Sequence, residues 1–316
     1  MQRRGKTAAG SQRWFCQSCR ISITRKRADI KHNGLRRQFT AWLSSNDNLE
    51  TVAKRQDCSP RTLKRRFKSL WSEVPDIIVS SNISGGILIS DATYLGGREH
   101  VVLVARSKQE MISWMFSERE NALSWANFFS KLHIPDVIVC DGQRGMLAAI
   151  AVVWPRTKIQ RCLLHVVRLV RIKLTRQPKT EAGITLKYIV RDVFSIRTRR
   201  QKRRWLRRFK HWMKKYAIFM AERTYGENKK SKRNWWYTHK NLRAARSLIK
   251  NALPHLFMFI GHPEIPRTTN HVEGGINARL KELLHRHRGL PLHKKQILVS
   301  HFLGSKMLQK PPRNVT

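Results

Sequence analysis

Two short apolar runs, each closed by an aspartate, constrain this chain more than any other feature. Gly86-Ile87-Leu88-Ile89-Ser90 leads into Asp91, and Val137-Ile138-Val139-Cys140 leads into Asp141. Runs of this length and composition read as buried strands. The chain carries 64 Lys+Arg against 20 Asp+Glu, a formal net charge of +44. Acids at the ends of buried strands, inside so basic a chain, suggest a metal site facing a polyanion.

The charge itself points to nucleic acid, because each phosphate neutralised by Lys or Arg releases condensed counterions. A basic packaging protein or a charged tail fits less well, since the cations are spread through segments that also show core periodicity. With 316 residues and 41% hydrophobic content, the chain can bury a sizeable core in more than one domain. No run of 18 apolar residues occurs, so no membrane span is expected. The basic start, Met1-Gln2-Arg3-Arg4-Gly5-Lys6, lacks the apolar stretch of a signal peptide. Five cysteines without framework spacing indicate a reducing cytoplasm.

Near the N-terminus, Cys16-Gln17-Ser18-Cys19 is a CxxC. A structural zinc wants four ligands and this pair supplies two, so zinc is not expected and Cys16 and Cys19 read as the remnant of a zinc ribbon. Further on, Leu49, Val52 and Ala53 give one short helix an apolar face, and Gln56-Asp57-Cys58 makes a turn. Ser59-Pro60 then starts a second helix, with Ser as N-cap and Pro at its first position. Leu63, Phe67 and Leu70 form its inner face, while Arg61, Thr62, Lys64 and Arg65 occupy the outer positions. This pattern predicts a helix-turn-helix whose second helix enters the DNA major groove.

From Gly85 the expected elements are strands at Ile87–Asp91, His100–Ala105 and Ile112–Phe116, then a helix opened by a Ser117/Glu120 capping box. That helix carries a stripe of Leu123, Ala126, Phe129 and Leu132. A strand at Val137–Cys140, a helix at Met146–Val153, a strand at Lys158–Arg161 and a helix from Leu163 follow. The order β-β-β-α-β-α-β, a meander followed by helix-linked parallel strands, is by analogy that of an α/β, RNase H-like mixed-sheet core. In that topology the first and fourth strands are neighbours, so Asp91 and Asp141 meet. Two close carboxylates repel unless a cation or proton intervenes. Hard oxygen ligands suit Mg²⁺, or Mn²⁺ in its place, and two such ions can activate a nucleophilic oxygen and stabilise a leaving one.

A third acid, Glu273, lies in Thr269-Asn270-His271-Val272-Glu273-Gly274. Val272, Ile276, Leu280 and Leu283 give that helix an apolar face, with Glu273, Asn277 and Lys281 on another. Spacing alone leaves two roles open for Glu273: a third metal ligand, or a capping-box partner of Asn270. Ser90-Asp91-Ala92-Thr93-Tyr94, Cys140-Asp141-Gly142-Gln143-Arg144-Gly145, Cys162-Leu163-Leu164-His165 and Thr269-Asn270-His271-Val272-Glu273 stand in the same order as the motifs of Mutator-like bacterial insertion-sequence transposases. The chain resembles that family from about residue 10 to 305. The resemblance implies a DDE triad of Asp91, Asp141 and Glu273 binding Mg²⁺, and makes Cys162 and His165 the family's Cys-x-x-His signature. Two ligands are too few for zinc there, so packing or DNA positioning is the expected role of that pair.

Between Asp141 and Glu273 the pattern is mainly helical and basic. Trp205, Phe209, Trp212, Met213 and Tyr216 recur at helical spacing as core. In Asn234-Trp235-Trp236-Tyr237 three adjacent aromatics cannot all face one core, which leaves Trp235 or Trp236 to stack on an unpaired DNA base. The expected organisation is a basic segment with the ribbon remnant (1–30), a helix-turn-helix region (31–80), the first part of the core (81–176), a Trp-rich helical insertion (177–262) and the second part of the core with Glu273 (263–309). A disordered tail from Pro311-Pro312 (310–316) closes the chain. The expected activity is DNA transposition: binding of terminal inverted repeats and target DNA, strand cleavage and 3′-hydroxyl transfer, by a homodimer or higher oligomer on DNA. The rivals are a non-catalytic DNA-binding regulator descended from a transposase, and another RNase H-like nuclease or resolvase.

Overall fold

The computed structural model describes residues 1–8, 10–24, 28–45, 47–73, 86–97, 99–226 and 234–308. Among these, the side chains of 28–31, 99, 271, 273 and 308 lie outside what is described, as does the expected tail at 310–316. No helix among the described residues is long and apolar enough to cross a membrane. The chain divides into two compact units, Met1–Asp76 with Glu282–Leu308, and Ile77–Lys281 with Gln309–Thr316.

The first unit begins with an antiparallel three-stranded sheet of β1 (Gln2–Lys6), β2 (Gln12–Phe15) and β3 (Ser22–Thr24), in the order β1-β2-β3. Arg3 lies over the Trp14 ring and Arg4 over the Phe15 ring, so the cations shield the small sheet's aromatic face. Helices α1 (Ala28–Ser44), α2 (Leu49–Arg55) and α3 (Pro60–Arg66) follow. Asn48 caps α2 by accepting from the Thr51 amide, and Ser59 caps α3 by accepting from the Thr62 amide. Phe39, Leu43, Leu63, Phe67 and Leu70 are buried to 1% exposure or less, together with Leu298, Val299 and Leu303 of the helix Leu292–Leu308.

The second unit is built on one five-stranded mixed sheet: β4 (Ile87–Gly96), β5 (Glu99–Arg106), β6 (Met111–Ser117), then α4 (Ala122–Phe129), β7 (Val137–Cys140), α5 (Arg144–Val153) and β8 (Lys158–Arg161). The strand order is β6-β5-β4-β7-β8. β4, β5 and β6 pair antiparallel, while β4–β7 and β7–β8 pair parallel. Trp125, Phe128, Phe129 and Trp154 pack with Leu88, Leu103 and Ile138 in one core cluster, and Phe129 stacks on Trp154 at 4.5 Å. Ile89, Val102 and Val104, which alternate with those residues along the strands, are also fully buried. The sheet is therefore covered on both faces, which is why its strands read as continuous apolar runs.

Two local expectations are corrected. Ser117 and Glu120 do not cap α4: Asn121 does, accepting from the Ser124 amide, and the Ser117 hydroxyl bonds instead to Ser124 and the Arg119 carbonyl. The inner face of α4 is accordingly Trp125, Phe128 and Phe129, with Leu132 buried just beyond its end, and Leu123 is 69% exposed. β4 also runs past Asp91 to Gly96, so Asp91 lies inside the strand, opposite Val104 of β5, and not at its end.

After β8 come α6 (Leu163–Leu174), α7 (Glu181–Arg191), α8 (Arg199–Lys215), α9 (Ala217–Ala221) and α10 (Lys240–Ala252). Thr198 and Gln201 form a reciprocal capping box at the start of α8. Trp205, Phe209 and Trp212 are buried on one face of α8. The Trp205 and Trp212 indoles donate to the Ile189 and Ala182 carbonyls of α7, at 2.7 and 3.0 Å. This stretch is not purely helical: β9 (Arg223–Tyr225) and β10 (Trp235–Tyr237) pair antiparallel. The chain returns through α11 (Asn270–Val272), a π-turn (Glu273–Asn277) and α12 (Ala278–Arg286).

Candidate functional site

Strand register brings the two aspartates together. Ile89 of β4 is paired with Val139 of β7. Asp91 and Asp141 each lie two residues further along, so both side chains leave the same face of the sheet at the same level. On the next strand Arg161 is paired with Cys140, which sets Cys162 level with Asp141. Leu163 opens α6, and His165 in its first turn comes back over the acids. One ligand atom from each of Asp91, Asp141 and His165 lies within 4.8 Å of the others. Asp91 is 7% exposed, whereas Asp141 and His165 are half-buried.

Each acid is held by specific partners. The Asn277 side-chain amide donates to Asp91 Oδ2 at 2.8 Å. Asn277 is itself buried, and its Oδ1 has no hydrogen-bond partner among the described residues. The Gln143 backbone amide donates to Asp141 Oδ1 at 2.8 Å, closing the turn that follows β7. Gly142 takes φ +77°, and a Cβ there would sit 2.0 Å from Arg161 Nε. Only a glycine lets the Arg161 side chain lie against this turn, from which it donates to the Asp141 carbonyl at 3.3 Å. Burial lowers the Arg161 pKa, against the carboxylate of Asp141 and the thiols of Cys140 and Cys162.

A further acid sits beside the cluster. Tyr94 donates its hydroxyl to Glu120 Oε2 at 3.0 Å. Burial raises the Glu120 pKa, and the charge of Asp141 adds to that, against the Tyr94 hydrogen bond. Sequence reasoning assigned Glu120 to a helix cap; the signal it missed is Asn121, which caps α4 four residues beyond the expected Ser117. It also gave Asn277 no role of its own, although it placed Asn277 on the same helix face as Glu273. Between α11 and α12 the backbone of Glu273–Asn277 forms a π-turn, a rare widening found often at functional sites. The Glu273 side chain, the expected third acid, lies outside the described residues.

Cys162 is fully buried. Its sulfur accepts from the Thr269 amide at 3.3 Å and the Thr269 hydroxyl at 3.4 Å. Burial raises the thiol pKa, but hydrogen bonds from His165 and Thr269 outweigh it, and the net shift is downward. Cys140, buried beside Asp141, is pushed up.

The remaining expected residues lie elsewhere. Arg61, Lys64 and Arg65 are exposed on α3. The Thr62 hydroxyl is bonded to that of Ser59 at 3.0 Å and so contributes to the cap of α3. On the β9–β10 ribbon Trp236 is 37% exposed, while Trp235 is half-buried under the Arg223 guanidinium at 4.2 Å. Strand alternation explains why three adjacent aromatics do not share one face. Cys16 and Cys19 flank the turn between β2 and β3, and hydrogen bonds to Ser18 and Cys19 bring the Cys16 thiol down to about 6. Among the described residues no third metal-ligating side chain joins them. A separate cavity of about 710 Å³ opens beside Gly86, Asp136 and Lys158, at the opposite end of the parallel strands from the acids.

Two carboxylates and an imidazole at this separation have the donor chemistry to hold a divalent cation. No curated protein matches the chain. Residues 87–229, which run from the start of β4 into the segment after β9 and include Asp91, Asp141, Cys162 and His165, match the family model of Mutator-family transposases. Over that stretch, a little under half of the chain, the sequence is similar to the transposases of the Mutator family.

Proposed function

We propose that the chain catalyses divalent-metal-dependent cleavage of DNA strands at the ends of an insertion sequence and transfer of the freed 3′-hydroxyl to target DNA. The observation that carries this reading is the convergence of Asp91, Asp141 and His165 within 4.8 Å in a chain of net charge +44. So many cations draw DNA in, and acids gathered on one face need a cation to coexist. The strand order β6-β5-β4-β7-β8, with three antiparallel and two parallel members, supports an RNase H-like core.

Asp91 and Asp141 are the proposed ligands for Mg²⁺ or Mn²⁺, with Glu273 on the returning segment as the third acid. Bound there, such ions supply Lewis-acid activation of water or a 3′-hydroxyl and neutralise charge on the leaving oxygen. Mg²⁺ prefers oxygen donors, so we assign the His165 imidazole to the scissile phosphate, which it holds by hydrogen bonding. Asn277 fixes one oxygen of Asp91, and Gln143 one oxygen of Asp141, so that the opposite lone pairs face the site. Arg61, Lys64 and Arg65 of α3 bind the element ends in helix-turn-helix fashion, with Thr62 at the start of the helix. The exposed face of Trp236, beside Trp235, offers a stacking surface for an unpaired base. Two ends are processed together by two or more copies of the chain.

Strand-transfer assays on terminal-repeat DNA test this reading. Asp91→Asn and Asp141→Asn are expected to abolish Mg²⁺-dependent products while leaving salt-sensitive DNA binding intact. Retained transfer by either variant overturns the assignment. DNA binding by the wild type with no metal-dependent product identifies a regulator instead.

A further inference from the structure

We infer that Cys162 is a positioning residue that pins the segment carrying Glu273 and Asn277 over the aspartates, through its bonds to Thr269. The inference rests on the proposed catalytic reading of the Asp91–Asp141 cluster.

The returning segment is fastened at both ends. At its start the Thr269 amide and hydroxyl both donate to the Cys162 sulfur, and the Leu163 amide donates to the Arg267 carbonyl at 3.0 Å. At its end Asn277 donates to Asp91. Thr269 and Cys162 are both fully buried. Seven residues, 270–276, lie between the two fastenings, and they include α11 and the π-turn up to its last residue, Asn277. The Val272 amide bonds back to the Thr269 carbonyl at 2.8 Å, so the first turn of this segment grows directly from the pinned residue.

Cys162 is also tied to the carboxylate strands. Its own amide donates to the Cys140 carbonyl at 2.7 Å, one residue before Asp141. His165 lies three residues on, in the first turn of α6. One side chain therefore joins the end of β7, the first turn of α6 and the start of the returning segment. This gives the Cys-x-x-His spacing a physical meaning: the cysteine anchors the segment of the third acid, and the histidine one turn later faces the first two.

Sulfur suits the task. Its radius spans the 3.3–3.4 Å separations to two donors at once. A serine oxygen accepts from the same donors only if they approach more closely. A valine of similar size accepts from neither and leaves both buried donors of Thr269 unsatisfied.

The experiment compares wild type, Cys162→Val, Cys162→Ser, Thr269→Val and Asp91→Asn in the full chain. Mg²⁺-dependent cleavage of terminal-repeat DNA, DNA affinity, melting temperature and amide hydrogen exchange are measured on each. Cys162→Val is expected to cut kcat by about 10²-fold, the scale of a misplaced reacting group. It should speed exchange over 269–277 and leave DNA affinity and exchange over 101–105 unchanged. Thr269→Val, which keeps the amide donor, should show a smaller effect in the same direction, and Cys162→Ser should recover most of the loss. If Cys162→Val and Thr269→Val keep wild-type exchange over 269–277, the inference is wrong. It is equally wrong if they keep wild-type kcat while Asp91→Asn is inactive. An active Asp91→Asn variant removes the catalytic reading itself, and the exchange data then decide the pinning role alone.

Discussion

Asn277 reaches from the π-turn to Asp91 on the central strand, donating its side-chain amide to Oδ2 at 2.8 Å. The pair is 186 residues apart in sequence and buried, with Asp91 at 7% and Asn277 at 3% exposure. A hydrogen bond to the charged form stabilises a carboxylate and fixes which oxygen remains for a ligand. Replacing Asn277 by Ala removes that bond and with it the donor that holds Oδ2. The expected outcome is a 10–100-fold loss of Mn²⁺ affinity, the scale found when groups that orient metal ligands are removed. Titration of the apo protein followed by electron paramagnetic resonance checks it. Unchanged affinity would show that Asn277 serves packing alone.

Gly142 and Arg161 give a second prediction, on stability. Gly142 combines φ +77° with a neighbour that a Cβ would strike at 2.0 Å. Gly142→Ala therefore pays backbone strain of about 1–2 kcal/mol, and displacing the Arg161 side chain adds overpacking of about 1–3 kcal/mol. Denaturant unfolding should report a loss of roughly 2–5 kcal/mol, the sum of these effects. Because Asp141 is the preceding residue, metal affinity should fall with it. Pairing Gly142→Ala with Arg161→Ala should relieve the clash and leave only the strain.

The strands that carry the site were legible in the sequence because β4 and β7 are buried on both faces, and such strands leave uninterrupted aliphatic runs. The cap of α3 was legible because a cap is local: Ser59 acts on the Thr62 amide, three positions away. What the sequence hid is nonlocal. Nothing in Cys140-Asp141-Gly142 reveals that the space above Gly142 is filled by Arg161. Asp91 looked like a strand end because the apolar run stops there, yet pairing with Val104 carries β4 on to Gly96. Helical periodicity predicted one continuous helix from Asn270, whereas Glu273–Asn277 widens into a π-turn with Asn277 on Asp91. The β9–β10 ribbon was missed because Trp235–Tyr237 is only three residues long and its partner strand lies ten positions earlier.

Glu120 supplies a pH-dependent prediction. Burial raises its pKa, Asp141 adds to the rise and the Tyr94 hydrogen bond opposes it. A carboxyl whose folded pKa is raised binds protons more tightly in the folded state. Its contribution to stability is fully present below the ordinary value of 4.5 and is lost as pH rises through the folded value. Glu120→Gln keeps an acceptor for Tyr94 and cannot ionise. In metal-free buffer it should melt higher than wild type at pH 7 and match wild type below pH 4. A melting difference that does not change with pH refutes the assignment.

The outer face of α3 yields a prediction that separates DNA binding from chemistry. Arg61, Lys64 and Arg65 are exposed, and residues 61, 64 and 65 fall on neighbouring positions of one helical face. If each neutralises one phosphate, removing it deletes about 0.9 from the slope of log K against log salt on duplex DNA. The triple alanine variant should therefore flatten the slope by roughly 3 and weaken binding most at low salt. Helix α3 should survive, because its Ser59 cap and its buried Leu63 are untouched. Cleavage of saturating DNA by this variant should proceed at close to the wild-type rate, since Asp91, Asp141 and His165 are unaltered. Fluorescence anisotropy over a salt series measures the slope, and single-turnover cleavage measures the rate. A slope unchanged from wild type would exclude α3 from the DNA interface and leave the cationic surface of α8 to carry the binding.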